Sequence, residues 1–183
     1  MASRGAGTAE STATPKSRAA APPKPTDRPD RRIPSAALEY WRDLAAPRRF
    51  PSKAQVTRES AGDLWDHLFI VAVGPEGTDP VFIQSGDVLR QALGRDPTGE
   101  AVRAAMPRAI ANRALYYQRA ASDLMAPIDD AGKWIREDGG MVLYRAVLMP
   151  LSEDERTANY LLGAFSFRIV PPDVTGAAGM RAT

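Results

Sequence analysis

The chain has 183 residues, 44% of them hydrophobic and 25% charged, which suits one soluble globular domain with an appendage; no apolar run approaches the ~20 residues that span a bilayer. Zero cysteines exclude disulfides, thiolate nucleophiles and zinc-ribbon sites, and a single histidine, His67, excludes a histidine-rich metal cage. A net +4 in residues 1–34 against +2 for the whole chain leaves −2 for the rest, so the folded part lacks the basic footprint of a nucleic-acid-binding domain.

The first 34 residues combine Ala, Pro, Ser, Thr and Gly with basic residues and have scarcely any large apolar side chain. Such a segment cannot bury enough surface to offset the ordering cost of about 1–2 kcal/mol per residue, and it is expected to be a disordered basic tail. It has no continuous apolar stretch of the signal-peptide kind, so the cytoplasm is the expected compartment.

Residues 35–56 are expected to form a flanking helix and linker. Ser35 is the candidate N-cap, and Leu38, Trp41, Leu44 and Ala45 then recur at helical spacing. Pro47 ends the helix, and Pro47 and Pro51 keep the following stretch extended. A second short helix is predicted from Thr57 through Leu64 and Trp65.

Leu68 to Val73 is rich in aromatic and β-branched residues and runs into a string of turn-formers, so it reads as a strand entering a hairpin, with Pro80 to Gln84 as the return strand. Ser85 or Asp87 caps a brief helix through Leu89 and Leu93, which Gly94 stops. Another helical turn follows, and Pro107 suits the first turn of a longer helix whose apolar face is Ile110, Ala114, Leu115, Tyr117, Ala121 and Leu124.

Three antiparallel strands are predicted next, in Ala126 to Glu137, Met141 to Leu151 and Tyr160 to Ile169, separated by an Asp-Gly-Gly turn and a polar loop. In the last strand Leu161, Gly163, Phe165, Phe167 and Ile169 alternate with Tyr160, Leu162, Ala164, Ser166 and Arg168, so one face is expected to be buried more thoroughly than the other. Residues 57–170 thus form the expected domain, and 171–183 a frayed C-terminus.

Three segments carry a family resemblance: EYWRDLAAPRRFPSKAQV at 39–56, GRDPTG at 94–99 and LMPL at 148–151. With the order strand, strand, short helices, long helix, three strands, the chain resembles the PAS domains of short, mainly alphaproteobacterial proteins over residues 38–170. The resemblance implies an α+β fold: a five-stranded antiparallel sheet with helices on one face, preceded by an amphipathic N-terminal helix. It implies a non-enzymatic sensory or protein-interaction module with no catalytic residue to carry over. QSGD at 84–87 stands where that family commonly has an Arg-containing Gly-Thr segment. GRDPTG itself has a plain physical reading as a helix stop followed by a turn, and MPL as a strand end.

Haem-binding PAS domains place their axial histidine on the long helix, whereas His67 stands at the start of the first strand and reads as structural. Adduct-forming flavin chemistry needs a cysteine, and no cofactor is expected. Asp129 and Asp130, like Glu153, Asp154 and Glu155, read as solvated loop charges, because a catalytic carboxylate must be held in a pocket. Phe82, Tyr117, Tyr144, Phe165 and Phe167, with Tyr116, are the candidates to line a ligand space between sheet and long helix, against the equal alternative of a filled core. Any ligand is expected to be small and apolar or aromatic. Leu38, Trp41 and Leu44 must pack either on their own sheet or on a partner chain, and a homodimer is expected by analogy. Two functions follow as expectations: a module that controls or localises a protein partner, or a sensor of a small apolar ligand.

Overall fold

A computed structural model describes residues 30–75 and 78–171. The expected basic tail falls outside the described residues as far as position 29, and the expected C-terminal fraying does so from position 172.

In chain order the elements are α1 (Arg32–Ala45), α2 (Arg58–Ala61), β1 (Leu68–Ala72), β2 (Val81–Ser85), α3 (Asp87–Leu93), α4 (Val102–Ala105), α5 (Arg108–Leu124), β3 (Ile128–Ile135), β4 (Met141–Leu151) and β5 (Tyr160–Val170). The strands form one antiparallel sheet in the order β2-β1-β5-β4-β3. This is the expected α+β architecture, with α3, α4 and α5 on one face. α1 lies against the other.

Helix α1 starts at Arg32, ahead of Ser35, whose hydroxyl donates back to the Arg31 carbonyl from inside the first turn. Asp30 is the side chain that meets the open helix end, accepting from the Arg32 N–H at 2.9 Å. At the other end the Gln55 side chain donates to the Leu44 carbonyl at 2.8 Å, and Gln55 also closes a reciprocal cap with Ser52. The predicted second helix is shorter than expected: α2 gives way at Gly62 to a 3-10 segment through His67.

The GRDPTG segment behaves as its residue types require. Gly94 adopts the left-handed conformation that ends α3, and the Asp96 carboxylate then accepts from the Thr98 N–H at 2.9 Å and the Ser85 hydroxyl at 2.7 Å. Arg95 pairs with Glu100 and reaches the last carbonyls of α4, at Ala104 and Ala105.

Two apolar clusters sandwich the sheet. Phe69, Val71, Val142, Tyr144, Leu161 and Phe165 face α3, α4 and α5. Leu68, Ile70, Val147, Met149, Leu162 and Ala164 face α1, where Ala37, Trp41 and Phe50 cover them. The expected one-sided burial of β5 is therefore corrected: residues 161–166 are all buried, because α1 covers what would otherwise be the wet face. Leu124 is also corrected. It is 65% exposed, and Gln118 takes a buried place on α5 instead.

Candidate functional site

The space between the sheet and α5 is the natural place for a ligand, and aromatic side chains fill it. Tyr144 stacks on Phe165 at 5.6 Å between centroids, Trp134 leans on Tyr144 at 5.5 Å, and Phe69 meets Phe82 at 5.7 Å. The cavity left among them is about 40 Å³, room for a water molecule or two. Of the residues expected there, Phe82, Tyr144 and Phe165 reach its wall, while Tyr117 and Phe167 are half-buried and pack against the same cluster without lining the void. Tyr116 is exposed on the far side of α5.

The close packing has a backbone cause. Phe69 on β1 stands directly opposite Gly163 on β5, and Tyr144 on β4 directly opposite Gly132 on β3. A Cβ at Gly132 would sit 2.8 Å from the Tyr144 ring, and one at Gly163 would fall within the Phe69 ring. Each ring lies flat over a glycine, which lets α5 settle close to the sheet.

A polar group borders this void that sequence reasoning placed in solvent. Asp130 is only 9% exposed, because alternation along β3 turns it inward with Trp134 while Asp129 points outward. Its Oδ2 accepts from the Tyr144 hydroxyl at 2.8 Å, and its Oδ1 is held by Arg113 from α5, with Nε at 2.9 Å and Nη2 at 2.8 Å. Burial first, and then the neighbouring carboxylate, push the Tyr144 phenol well above its ordinary value; the hydrogen bond to Asp130 holds Arg113 charged. The clamp ties α5 to β3 and β4. Both oxygens of its carboxylate are thus engaged.

Gln118, 4% exposed on α5, places its side-chain oxygen without a partner between this void and an open cleft of about 610 Å³. That cleft runs between α5 and the segment after β1, with Val73, Pro80 and Leu115 as its apolar part. Arg103, paired to Asp79 at 3.1 Å, and Arg119, paired to Asp123 at 3.5 Å, stand at its walls.

On the other face Trp41 takes the intramolecular of its two alternatives. It is 8% exposed and donates its indole N–H to the Pro150 carbonyl at 2.8 Å. Leu38 and Leu44 are half-buried against the same cluster. His67 is half-buried beside β1 with its Nδ1 2.9 Å from the Phe165 carbonyl oxygen. Asp154 belongs to the polar loop before β5, where the N–H groups of Arg156 and Thr157 hold its carboxyl down at about 2.

The strand, strand, short helices, long helix, three strands succession and the five-stranded antiparallel sheet give the chain a PAS-type fold. No family model matches it, and neither does any curated protein. Among solved structures it is similar to the LOV protein of Rhodobacter sphaeroides, 16% identical with a TM-score of 0.44 over 61% of this chain and 60% of that one, so the match spans less than two thirds of that protein. It is also similar to a PAS domain from Colwellia psychrerythraea, 15% identical with a TM-score of 0.44 over 62% and 93% of the two chains. A third is the LOV domain of a blue-light-activated histidine kinase from Erythrobacter litoralis, 15% identical with a TM-score of 0.40 over 57% and 94%.

Proposed function

We propose that the chain is a non-enzymatic PAS-type regulatory module that acts by binding a protein partner. The observation that carries this is the filled core. A void of about 40 Å³ is far below the ~300–1,000 Å³ that a small-molecule site occupies, so recognition passes to the surface. The engaged state of Asp130 supports the same view, since a carboxylate with a cation and a phenol already in place serves to hold elements together. Self-association through α1 is one candidate contact. Its accessible apolar atoms would come from Leu38 and Leu44, since Trp41 is committed to the sheet.

Native mass spectrometry of the full chain, with a denaturing run beside it, tests the proposal. The expected result is a mass equal to that of the polypeptide or a whole multiple of it. A mass excess that disappears on denaturation overturns it.

One observation favours a second reading, a sensor of a small ligand. The unpartnered oxygen of Gln118 stands where the open cleft meets the core, and a buried amide oxygen without a donor is costly. A ligand with an N–H or O–H group and an apolar body would satisfy it by entering from the cleft. The same mass measurement separates the two readings, and Gln118→Leu would abolish retention of such a ligand while leaving the fold intact.

A further inference from the structure

The sheet face that carries α1 is only half covered by it. Beyond the helix, register sets Lys133, Leu143 and Arg168 directly opposite one another across β3, β4 and β5, and Ile135, Met141 and Val170 form the next row out. Arg145 lies one row nearer the helix, between Ala131 and Ser166. The Asp30 carbonyl accepts from the Ser166 hydroxyl at 3.0 Å, which places the residue ahead of α1 over the row of Arg145 and Ser166, one row inside the two outer ones. Ile135 is 70% exposed. A cleft of about 420 Å³ continues the patch along the first turn of α1, with Arg31 and Arg145 on its walls.

Among the described residues, no hydrogen bond or ion pair engages the side chains of Lys133, Arg145 or Arg31, and the Nε of Arg168 is buried without a partner. Asp129 is the exposed carboxylate at the edge of the cleft. Lys133, Arg145 and Arg168, unpaired among the described residues and set among Ile135, Met141 and Leu143, make a surface that is both basic and apolar.

We propose that this end of the sheet docks an acidic segment of a partner protein, whose carboxylates pair with Lys133, Arg145 and Arg168 and whose apolar side chains cover Ile135, Met141 and Leu143. The inference rests on the protein-interaction reading above and names the partner's chemistry. Charge complementarity chooses this occupant over the others. Residues 1–29 carry five basic and two acidic side chains, so the chain's own tail has the same sign as the patch. A second copy meeting it across a two-fold axis would oppose like cations. A bilayer is excluded by shape, since α1 stands on this face as a ridge about 10 Å high and a flat surface meets the ridge before it reaches the sheet.

The test uses the full chain and a fluorescein-labelled synthetic peptide of alternating Glu and Leu, read by fluorescence anisotropy. Saturable binding is expected, weakened ~10-fold or more by added salt and again by Lys133→Glu with Arg168→Glu. A Lys-for-Glu peptide and a Ser-for-Leu peptide are expected to bind far less. Lys133 is exposed, so Lys133→Glu alone, with its circular dichroism unchanged, keeps the test valid if the double variant unfolds. Equal binding of acidic and basic peptides, or no effect of either variant, overturns the proposal. So does binding that appears only after residues 1–29 are deleted, a dimer that Lys133→Glu dissociates, or preference for phosphatidylserine vesicles over the peptide. Failure of the peptide to bind a chain whose native mass holds no small molecule removes this inference alone, whereas a retained ligand removes the reading beneath it.

Discussion

The Tyr144 hydroxyl donates to the Asp130 carboxylate at 2.8 Å, joining the centre of β4 to the inward side of β3 beneath α5. Removing the hydroxyl leaves a buried carboxylate oxygen with no donor. Tyr144→Phe is expected to cost about 1–3 kcal/mol, the range for orphaning a buried polar group. Arg113→Ala is expected to cost more, because it removes two charge-assisted donors from the same carboxylate, although water screens the half-exposed guanidinium and keeps the loss below that of a fully buried pair. Urea unfolding midpoints of the two variants, compared with the parent, check the order.

The same pair sets an alkaline limit. Folding raises the Tyr144 phenol above its ordinary value of 10.0, so the folded state holds the proton more tightly than the unfolded chain. Its contribution is complete below pH 10 and is lost as pH rises from there toward the folded value. Unfolding midpoints should fall for the parent protein as pH rises above about 10, and the gap to Tyr144→Phe should narrow as they fall.

At the acid end the controlling groups are Asp96 and Asp154. Thr98, through its side chain and then its N–H, lowers Asp96 from 3.8 to about 2, with Ser85 helping; the N–H groups of Arg156 and Thr157 do the same for Asp154. Both contributions are present above about pH 4 and disappear as pH falls toward 2. Asp96→Asn with Asp154→Asn should flatten that part of the melting-temperature profile. An unchanged slope would remove both loops from the account of acid unfolding.

Gly163 is required by the ring opposite it. A methyl group there would overlap Phe69, a buried side chain with little room to turn. Gly163→Ala is expected to destabilise by about 1–3 kcal/mol, the cost of overpacking, and Phe69→Leu in the same chain should recover part of the loss. A double-mutant cycle measures the coupling. Additive effects would show that the glycine acts through something else.

Trp41 belongs to its own sheet, and its substitution should be read as a loss of stability. Trp41→Ala removes a buried indole and the hydrogen bond to Pro150, an expected loss of about 3–5 kcal/mol. Thermal unfolding followed by near-ultraviolet circular dichroism reports it. Light scattering separates this from an interface role, since a mass change in a variant that still melts at the parent temperature would put Trp41 at a contact between chains.

Much of the fold was legible because local chemistry decided it. Gly94 ends α3 by adopting the left-handed conformation only glycine takes freely, Pro127 follows the end of α5, and the period-two patterns of β4 and β5 lie within a residue of their observed bounds. Helix α1 was legible as amphipathic, but its partner was not, since an apolar stripe says that something covers it without saying what. Ser35 has the composition of a cap, yet Asp30 sits where the helix opens.

The site was harder to see for a related reason. Asp129 and Asp130 are neighbours of one residue type in one polar stretch, and only the strand's alternation separates an exposed carboxylate from a clamped one. Gln118 is absent from the apolar face read for α5, and Gly132 and Gly163 gave no sign of the rings that lie over them. The missed signal was the register of β3 against β4, which counting inward from Trp134 would have supplied.

Sequence alone determined the order of helices and strands and most of their bounds, because dihedral preference and side-chain period act within a few residues. Tertiary structure decided that α1 covers part of the second face of the sheet, that aromatic rings over glycines leave almost no void, and that Lys133, Arg145 and Arg168 share the part of that face beyond the helix. Those outcomes depend on contacts between residues more than a hundred positions apart, as in the Trp41 bond to Pro150, and no local preference specifies which distant side chain will be met.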